Sequence, residues 1–181
     1  MLAEAPSSEL TPAQQALLRR YRRLWIGQQD LREAEAAIRQ ILLLRLRRST
    51  RKRGYHPLLT ALNVAVLVSY SRPFVNSRGS SRLADKILPG QLLRSYSRDE
   101  RQLHDQLLAM RNHEVAHSDP EVLGLQLQLV QGGDVGFSRI PREPLTRIEL
   151  RRLGRMIHKL QNAIADLCAD LRQQLPPHHW F

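Results

Sequence analysis

The chain has 181 residues, 42% of them hydrophobic, a length that suffices for one well-buried domain but not for two comfortable ones. Its single cysteine, Cys168, excludes an internal disulfide, and the apolar repeat around it favours a small core residue over a nucleophile. The formal net charge of +11 at pH 7 favours an anionic partner, most commonly nucleic acid, although so strong a bias to arginine is also typical of a GC-rich genome.

The N-terminus lacks the pattern of a secretion signal. Residues 1–10 carry acids and a proline where a signal peptide has a basic segment followed by an apolar run. The longest apolar run, Pro57 to Val68, is too short to span a bilayer and is interrupted by Thr60 and Asn63. We therefore expect a soluble, cytoplasmic protein without membrane contact.

A long amphipathic helix is predicted from Thr11 and Pro12, which suit the N-cap and the first helical position. Gly27 is a point at which this helix could kink or divide, and the helix is expected to end before the basic turn at residues 49–54. The segment from Arg19 to Arg53 is strongly basic, a property of nucleic-acid sites but more often of a solvated helix face. The apolar positions recur at helical spacing: Leu17, Tyr21, Leu24, Leu31, Ile38 and Leu42.

A second helix is predicted over Pro57 to Ser69, which is apolar nearly all round. Pro73 should end it near Arg72, and a polar loop should follow over residues 76–90.

Two later helices begin at capping boxes. Ser97 and Glu100 have the S-x-x-E spacing that starts a helix of about twenty residues. Thr146 and Glu149 repeat that spacing at the start of the last helix, whose apolar stripe runs to Leu171.

Between these helices, alternating residues around Leu123 to Leu129 and a Gly132-Gly133 turn predict a small β-hairpin at about 122–140. The predicted fold is therefore all-α, an up-and-down helical bundle with a β-hairpin insertion. We expect a loose N-terminus over 1–10, a single domain over 11–175 and a tail over 176–181.

Two motifs overlap between Met110 and Asp119, in the last two turns of the helix that starts near Ser97. One is R-N-x-x-x-x-H, formed by Arg111, Asn112 and His117. The other is H-E-x-x-H, in which His113 and His117 would bind zinc while Glu114 activates water. A histidine near a helix end also interacts favourably with the helix dipole without any chemistry.

The zinc hypothesis has the correct spacing on one helical face, but its context is unfavourable. No downstream segment resembles the third ligand of the known zinc peptidases, and the chain lacks the sheet that commonly forms one wall of a peptidase cleft. We therefore expect neither a metal nor a cofactor, and a zinc-dependent hydrolase is the weakest of three alternatives.

The R-N-x-x-x-A-H-S-D form at residues 111–119, on a well-delimited helix, resembles uncharacterised bacterial members of the HEPN superfamily. The segment from Tyr70 to Phe74 is similar to one in such proteins. The resemblance covers about residues 57–120, and the predicted hairpin departs from the plain helical bundle. These are small all-helical proteins that include metal-independent ribonuclease toxins and many non-catalytic nucleotide or RNA binders.

The resemblance implies an endoribonuclease of toxin or defence type whose partners include RNA and a cognate antitoxin. Arg111, Asn112 and His117 would be catalytic, and Arg72 and His113 would contact the substrate. Six residues of helix separate Arg111 from His117, a rotation of about 240° and a rise of about 9 Å, so the pair cannot easily converge on one phosphate within a single helix. A two-fold homodimer would bring Arg111 of one chain near His117 of the other. A non-catalytic nucleic-acid or partner-binding module is the second alternative.

Overall fold

The computed structural model describes residues 10–44, 56–75, 89–112, 125–129, 135–139 and 143–175. Its helices are α1 (Pro12–Leu43), α2 (Pro57–Ser71), α3 (Pro89–Leu92), α4 (Arg98–Met110) and α5 (Arg147–Gln174). Short 3-10 turns follow α2 at Arg72–Phe74 and α3 at Leu93–Ser95. The all-α class predicted from the sequence is confirmed. No described helix combines the length and apolar character needed to cross a bilayer.

Two short strands lie in the segment predicted as a hairpin. They are β1 (Leu125–Leu129) and β2 (Val135–Arg139), which pair antiparallel with Leu127 opposite Phe137. The domain is classed as all-α because the core residues whose burial is described come from the helices and the segments beside them.

The starts of α1, α4 and α5 were predictable because these helices use side chains to bind the unpaired backbone N–H groups of their first turns. Capping boxes are present at Ser97 with Glu100 and at Thr146 with Glu149, as predicted, and Thr11 forms another with Gln14. In the first of these, the Ser97 N–H donates to Glu100 Oε2 at 2.8 Å. These contacts set where α1, α4 and α5 begin.

The prediction that Gly27 could divide the first helix is wrong, since α1 continues unbroken through it for 32 residues. Gly27 is buried within this helix. The helix ends at Leu43, earlier than the basic turn at 49–54, which lies outside the described residues. For α2, the predicted end near Arg72 is confirmed.

The α1 and α2 helices run antiparallel. Glu33 of α1 contacts Ser69 near the end of α2, whereas the earlier Arg23 reaches the carbonyl of Val75 beyond it. Buried apolar side chains fill the space between α1, α2, α4 and α5, each fully buried leucine contributing about 1.5–3 kcal/mol. The fully buried α5 residues are Leu150, Leu153, Met156, Ile157, Leu160 and Ile164.

Asn63 is a polar residue inside this core. Its side chain donates to the Leu59 carbonyl at 3.1 Å and accepts from the Leu145 N–H at 2.9 Å. The amide that interrupts the apolar run of α2 therefore joins α2 to the segment that leads into α5.

Candidate functional site

The R-N-x-x-x-x-H motif begins where α4 ends. Arg111 and Asn112 continue the helix as a π-helical turn, and the Arg111 N–H still donates to carbonyls of the preceding turn. Arg111 is half-buried and Asn112 is exposed. His113, Glu114 and His117 lie outside the described residues, as does the predicted continuation of this helix to His117.

Arg111 and Asn112 contact each other directly. The Arg111 Nη1 donates to Asn112 Oδ1 at 3.0 Å, a neutral acceptor that orients the guanidinium without cancelling its charge. An arginine has five N–H donors, and this bond uses one of them. Within the described part of the chain, none of the ion pairs involves Arg111.

Arg72, predicted to contact substrate, lies in a different environment. Its Nη1 donates to Asp30 Oδ1 at 3.2 Å and to Glu33 Oε2 at 3.3 Å, so two α1 carboxylates offset its charge. The Ser69 hydroxyl also donates to Glu33. Burial raises the pKa of Asp30, and the Arg72 cation opposes that shift. These contacts tie the end of α2 to α1, and substrate contact by Arg72 stays a prediction.

A buried polar network holds α4 against α2 and α5. Tyr70 Oη lies 2.8 Å from His104 Nδ1 and 3.4 Å from Tyr96 Oη, and the Tyr96 hydroxyl donates to the Met156 carbonyl at 3.3 Å. His104 is 4% exposed, Tyr70 0% and Tyr96 5%, so substrate does not reach these side chains in this structure. The Phe74 ring packs edge-on against His104 at 4.7 Å between centroids.

The protons of this network can be assigned by counting donors. Tyr96 directs its proton at a carbonyl that can only accept, so Tyr70 must supply the proton for the contact between the two hydroxyls. His104 must then donate from Nδ1 to Tyr70 for the third contact to have a proton of its own. Burial lowers the pKa of His104, with the nearby Asp105 carboxylate opposing the shift, which agrees with a neutral imidazole. Burial also raises the pKa of both tyrosines, so they remain protonated.

His104 was not among the site residues predicted from the sequence. The available signal was its position: it follows Leu103 and precedes Leu107 by three residues on the apolar side of α4, where a histidine requires hydrogen-bond partners. The partners themselves come from α2 and from the segment before α4, and no local pattern identifies them.

The start of α4 is fixed to α5 by a charged contact. Lys159 Nζ lies 2.9 and 2.8 Å from the two carboxylate oxygens of Glu100 and also donates to the Ser95 carbonyl at 3.1 Å. Burial alone would raise the pKa of Glu100, but the bonds from Lys159 and Ser97 outweigh it and lower that pKa. Both the capping box and this ion pair therefore anchor α4 at the end opposite Arg111.

The described residues contain no group of three histidine, cysteine or acidic side chains placed to hold a metal ion. The residues of the H-E-x-x-H motif lie outside the described part of the chain. Cys168 is half-buried, and burial raises its thiol pKa, which fits the predicted packing role better than a nucleophile.

Comparison with protein-family models, with curated proteins and with solved structures finds no match to this chain.

Proposed function

We propose that this protein is a metal-independent endoribonuclease of the HEPN type, acting through Arg111 of one chain and His117 of a second copy. The observation that supports the proposal most is the environment of Arg111. It stands at the end of a firmly anchored helix, hydrogen-bonded to a neutral amide and unpaired with any described carboxylate. A guanidinium in that state suits an anionic phosphate.

In the proposed reaction the RNA 2′-oxygen attacks the adjacent phosphorus and the bond to the 5′-oxygen breaks, leaving a 2′,3′-cyclic phosphate. Arg111 would stabilise the charge that develops on the non-bridging oxygens, and Asn112 would hold its guanidinium in place. His117 would take the 2′-hydroxyl proton or donate one to the leaving 5′-oxygen. Arg72 and His113 would contact the substrate, and a cognate antitoxin would be a further partner.

Cleavage of total RNA with chelator present tests the proposal. Wild type should cleave and leave cyclic phosphate ends, while Arg111→Ala and His117→Ala should each lose activity by orders of magnitude. Glu114→Gln is the control, since a zinc enzyme would lose its general base there whereas this mechanism does not use it. Stoichiometric zinc together with inactivity of Glu114→Gln would overturn the proposal in favour of a zinc-dependent hydrolase.

The shared site has its own test. Mixing the two inactive alanine variants should partly restore cleavage, because a mixed dimer retains one intact Arg111 and His117 pair. A strictly monomeric but active protein in sedimentation would contradict the composite site.

A non-catalytic nucleic-acid-binding module is the second candidate. It is favoured by the run of arginines in the first half of α1, which needs no catalytic residue to attract an anionic strand. RNA binding without cleavage under any metal condition would select it.

A further inference from the structure

The first half of α1 combines positive charge with exposed apolar side chains. Residues 12–29 contain four arginines and neither aspartate nor glutamate. On the same stretch Trp25 is 52% exposed and Ile26 is 48% exposed, whereas the adjacent Leu24 is 3% exposed and packs in the core. An indole next to arginines is common where a protein meets a partner that has both charge and flat rings.

These side chains lie close together on the helix. At about 100° per residue, Arg19, Arg22, Trp25 and Ile26 fall within roughly one third of the helix circumference, along about 10 Å of its length. Arg19, Arg22, Trp25 and Ile26 are all exposed. We call these four residues the α1 outer patch.

Two arginines beside the patch donate hydrogen bonds to neutral acceptors. Arg20 donates to the Gln91 side chain, and Arg23 to the carbonyls of Arg72 and Val75, all of which are neutral acceptors. The α1 acids come later in the helix and pair elsewhere: Asp30 and Glu33 with Arg72, and Glu35 with Arg39. The first half of α1 is therefore positive by composition, because the acids of this helix lie in its second half.

We propose that the α1 outer patch binds single-stranded RNA, with a base stacked on the Trp25 indole and Arg19 and Arg22 on the flanking phosphates. The choice of RNA rests on the proposed function, while the charge and the exposed indole come from the fold itself. Stacking on an aromatic ring tolerates any base, so the patch would hold the strand without selecting its sequence. Cleavage would depend on Arg111 and His117, and the α1 outer patch would raise the affinity for long substrates.

Tryptophan fluorescence can report on the patch, because Trp25 lies in it and the chain has one other tryptophan, Trp180, which can be replaced. In a Trp180→Phe and His117→Ala background, Trp25 is the single tryptophan, excited at wavelengths where the four tyrosines do not absorb, and the strand should stay intact. Titration with a short oligouridine should quench the emission, and inorganic polyphosphate at equal charge should quench it far less, since it has no rings to stack.

Substitution then separates stacking from charge. In the same background, Trp25→Ala should weaken oligouridine affinity, measured by anisotropy of a labelled strand, by roughly five- to a hundred-fold. Arg19→Gln with Arg22→Gln should weaken binding and lower the salt slope by about 0.7 for each phosphate that is no longer neutralised. Arg39→Gln is the matched control, an exposed arginine on the same helix that is paired with Glu35. Ile148→Ala controls for removal of an exposed apolar side chain elsewhere, and both should leave the affinity unchanged.

Three results would overturn the α1 outer patch: equal quenching by oligouridine and polyphosphate, unchanged affinity in Trp25→Ala, or dissociation of a dimer by Trp25→Ala with RNA binding intact. The proposed function is separable from these outcomes. RNA cleavage that is unchanged when Trp25 and Arg19 are substituted would support the ribonuclease proposal and contradict the α1 outer patch. RNA binding that depends on Trp25, with no cleavage, would support the α1 outer patch and contradict the ribonuclease proposal.

Discussion

The two ends of α4 carry polar side chains in opposite circumstances. At its start and middle, Glu100 and His104 are buried and bonded to groups from α2, α5 and the segment before α4. At its end, Arg111 is half-buried and bonded to the neighbouring Asn112. The buried polar groups use their hydrogen bonds to stabilise the fold, whereas a cation bonded to a neutral amide keeps its charge for a ligand.

The largest expected difference between the two ends is in activity. Arg111→Ala should lower RNA cleavage by about a hundred- to a thousand-fold, the effect typical of removing one group that stabilises transition-state charge. Because the side-chain bond of Arg111 within the described residues goes to its sequence neighbour Asn112, the free energy of unfolding in urea should change little. If Arg111→Ala shifted the unfolding midpoint as far as a substitution in the buried network, such as Tyr70→Phe, Arg111 would instead be a structural residue.

At the buried end the effect should be on stability. Tyr70→Phe removes the acceptor of the His104 Nδ1–H and should cost about 1–3 kcal/mol of unfolding free energy, the penalty for an unsatisfied buried group. The double variant Tyr70→Phe with His104→Leu should be destabilised by less than the sum of the two single effects, because it removes both polar partners. Simple additivity in that cycle would contradict donation from His104 to Tyr70.

The ion pair at the start of α4 should contribute somewhat less. Lys159→Met should cost about 1–2 kcal/mol in chemical denaturation, since the Glu100 side chain is 9% exposed but Lys159 is 38% exposed and partly screened. The pKa of Glu100 is lowered, so its contribution is present above the ordinary value of 4.5 and disappears as the pH falls. Arg152→Met is the control: that arginine lies 3.7 Å from Asp99, whose side chain is 70% exposed, and the change should be nearly silent.

The smallest expected effect is a pH dependence due to His104. Burial lowers its pKa below the ordinary value of 6.5, so below that pH the unfolded chain binds a proton that the folded protein resists. The surroundings are the neutral Tyr70, Tyr96 and Phe74, with Asp105 the opposing charge. The unfolding free energy should therefore fall from pH 7 to pH 5 by more in wild type than in His104→Gln, which cannot titrate. Equal slopes in the two proteins would show that His104 is protonated as easily in the fold as outside it.

Much of the helical framework was predictable because its signals are local. The capping boxes at Ser97 and Thr146, the apolar stripe of α5 and the end of α2 before Pro73 all depend on residues within one or two turns. The short α3 helix was not predicted, since residues 89–92 lie in a stretch whose composition is typical of a loop. Of the predicted site residues, the structure brings Arg111 and Asn112 together and places Arg72 against the α1 carboxylates.

The sequence by itself determined the helical class, the starts of α1, α2, α4 and α5, and the position of Arg111 and Asn112 in the last turn of the helix that begins after Ser97, because hydrophobic spacing and N-terminal capping act over a few neighbouring residues. Tertiary structure alone decided which polar side chains are buried and paired. His104 and Tyr70 are 34 positions apart, and Arg72 and Asp30 are 42 apart. Hydrogen bonds and ion pairs of that separation depend on how α1, α2 and α4 pack, and packing is a property of the whole core that no local pattern encodes.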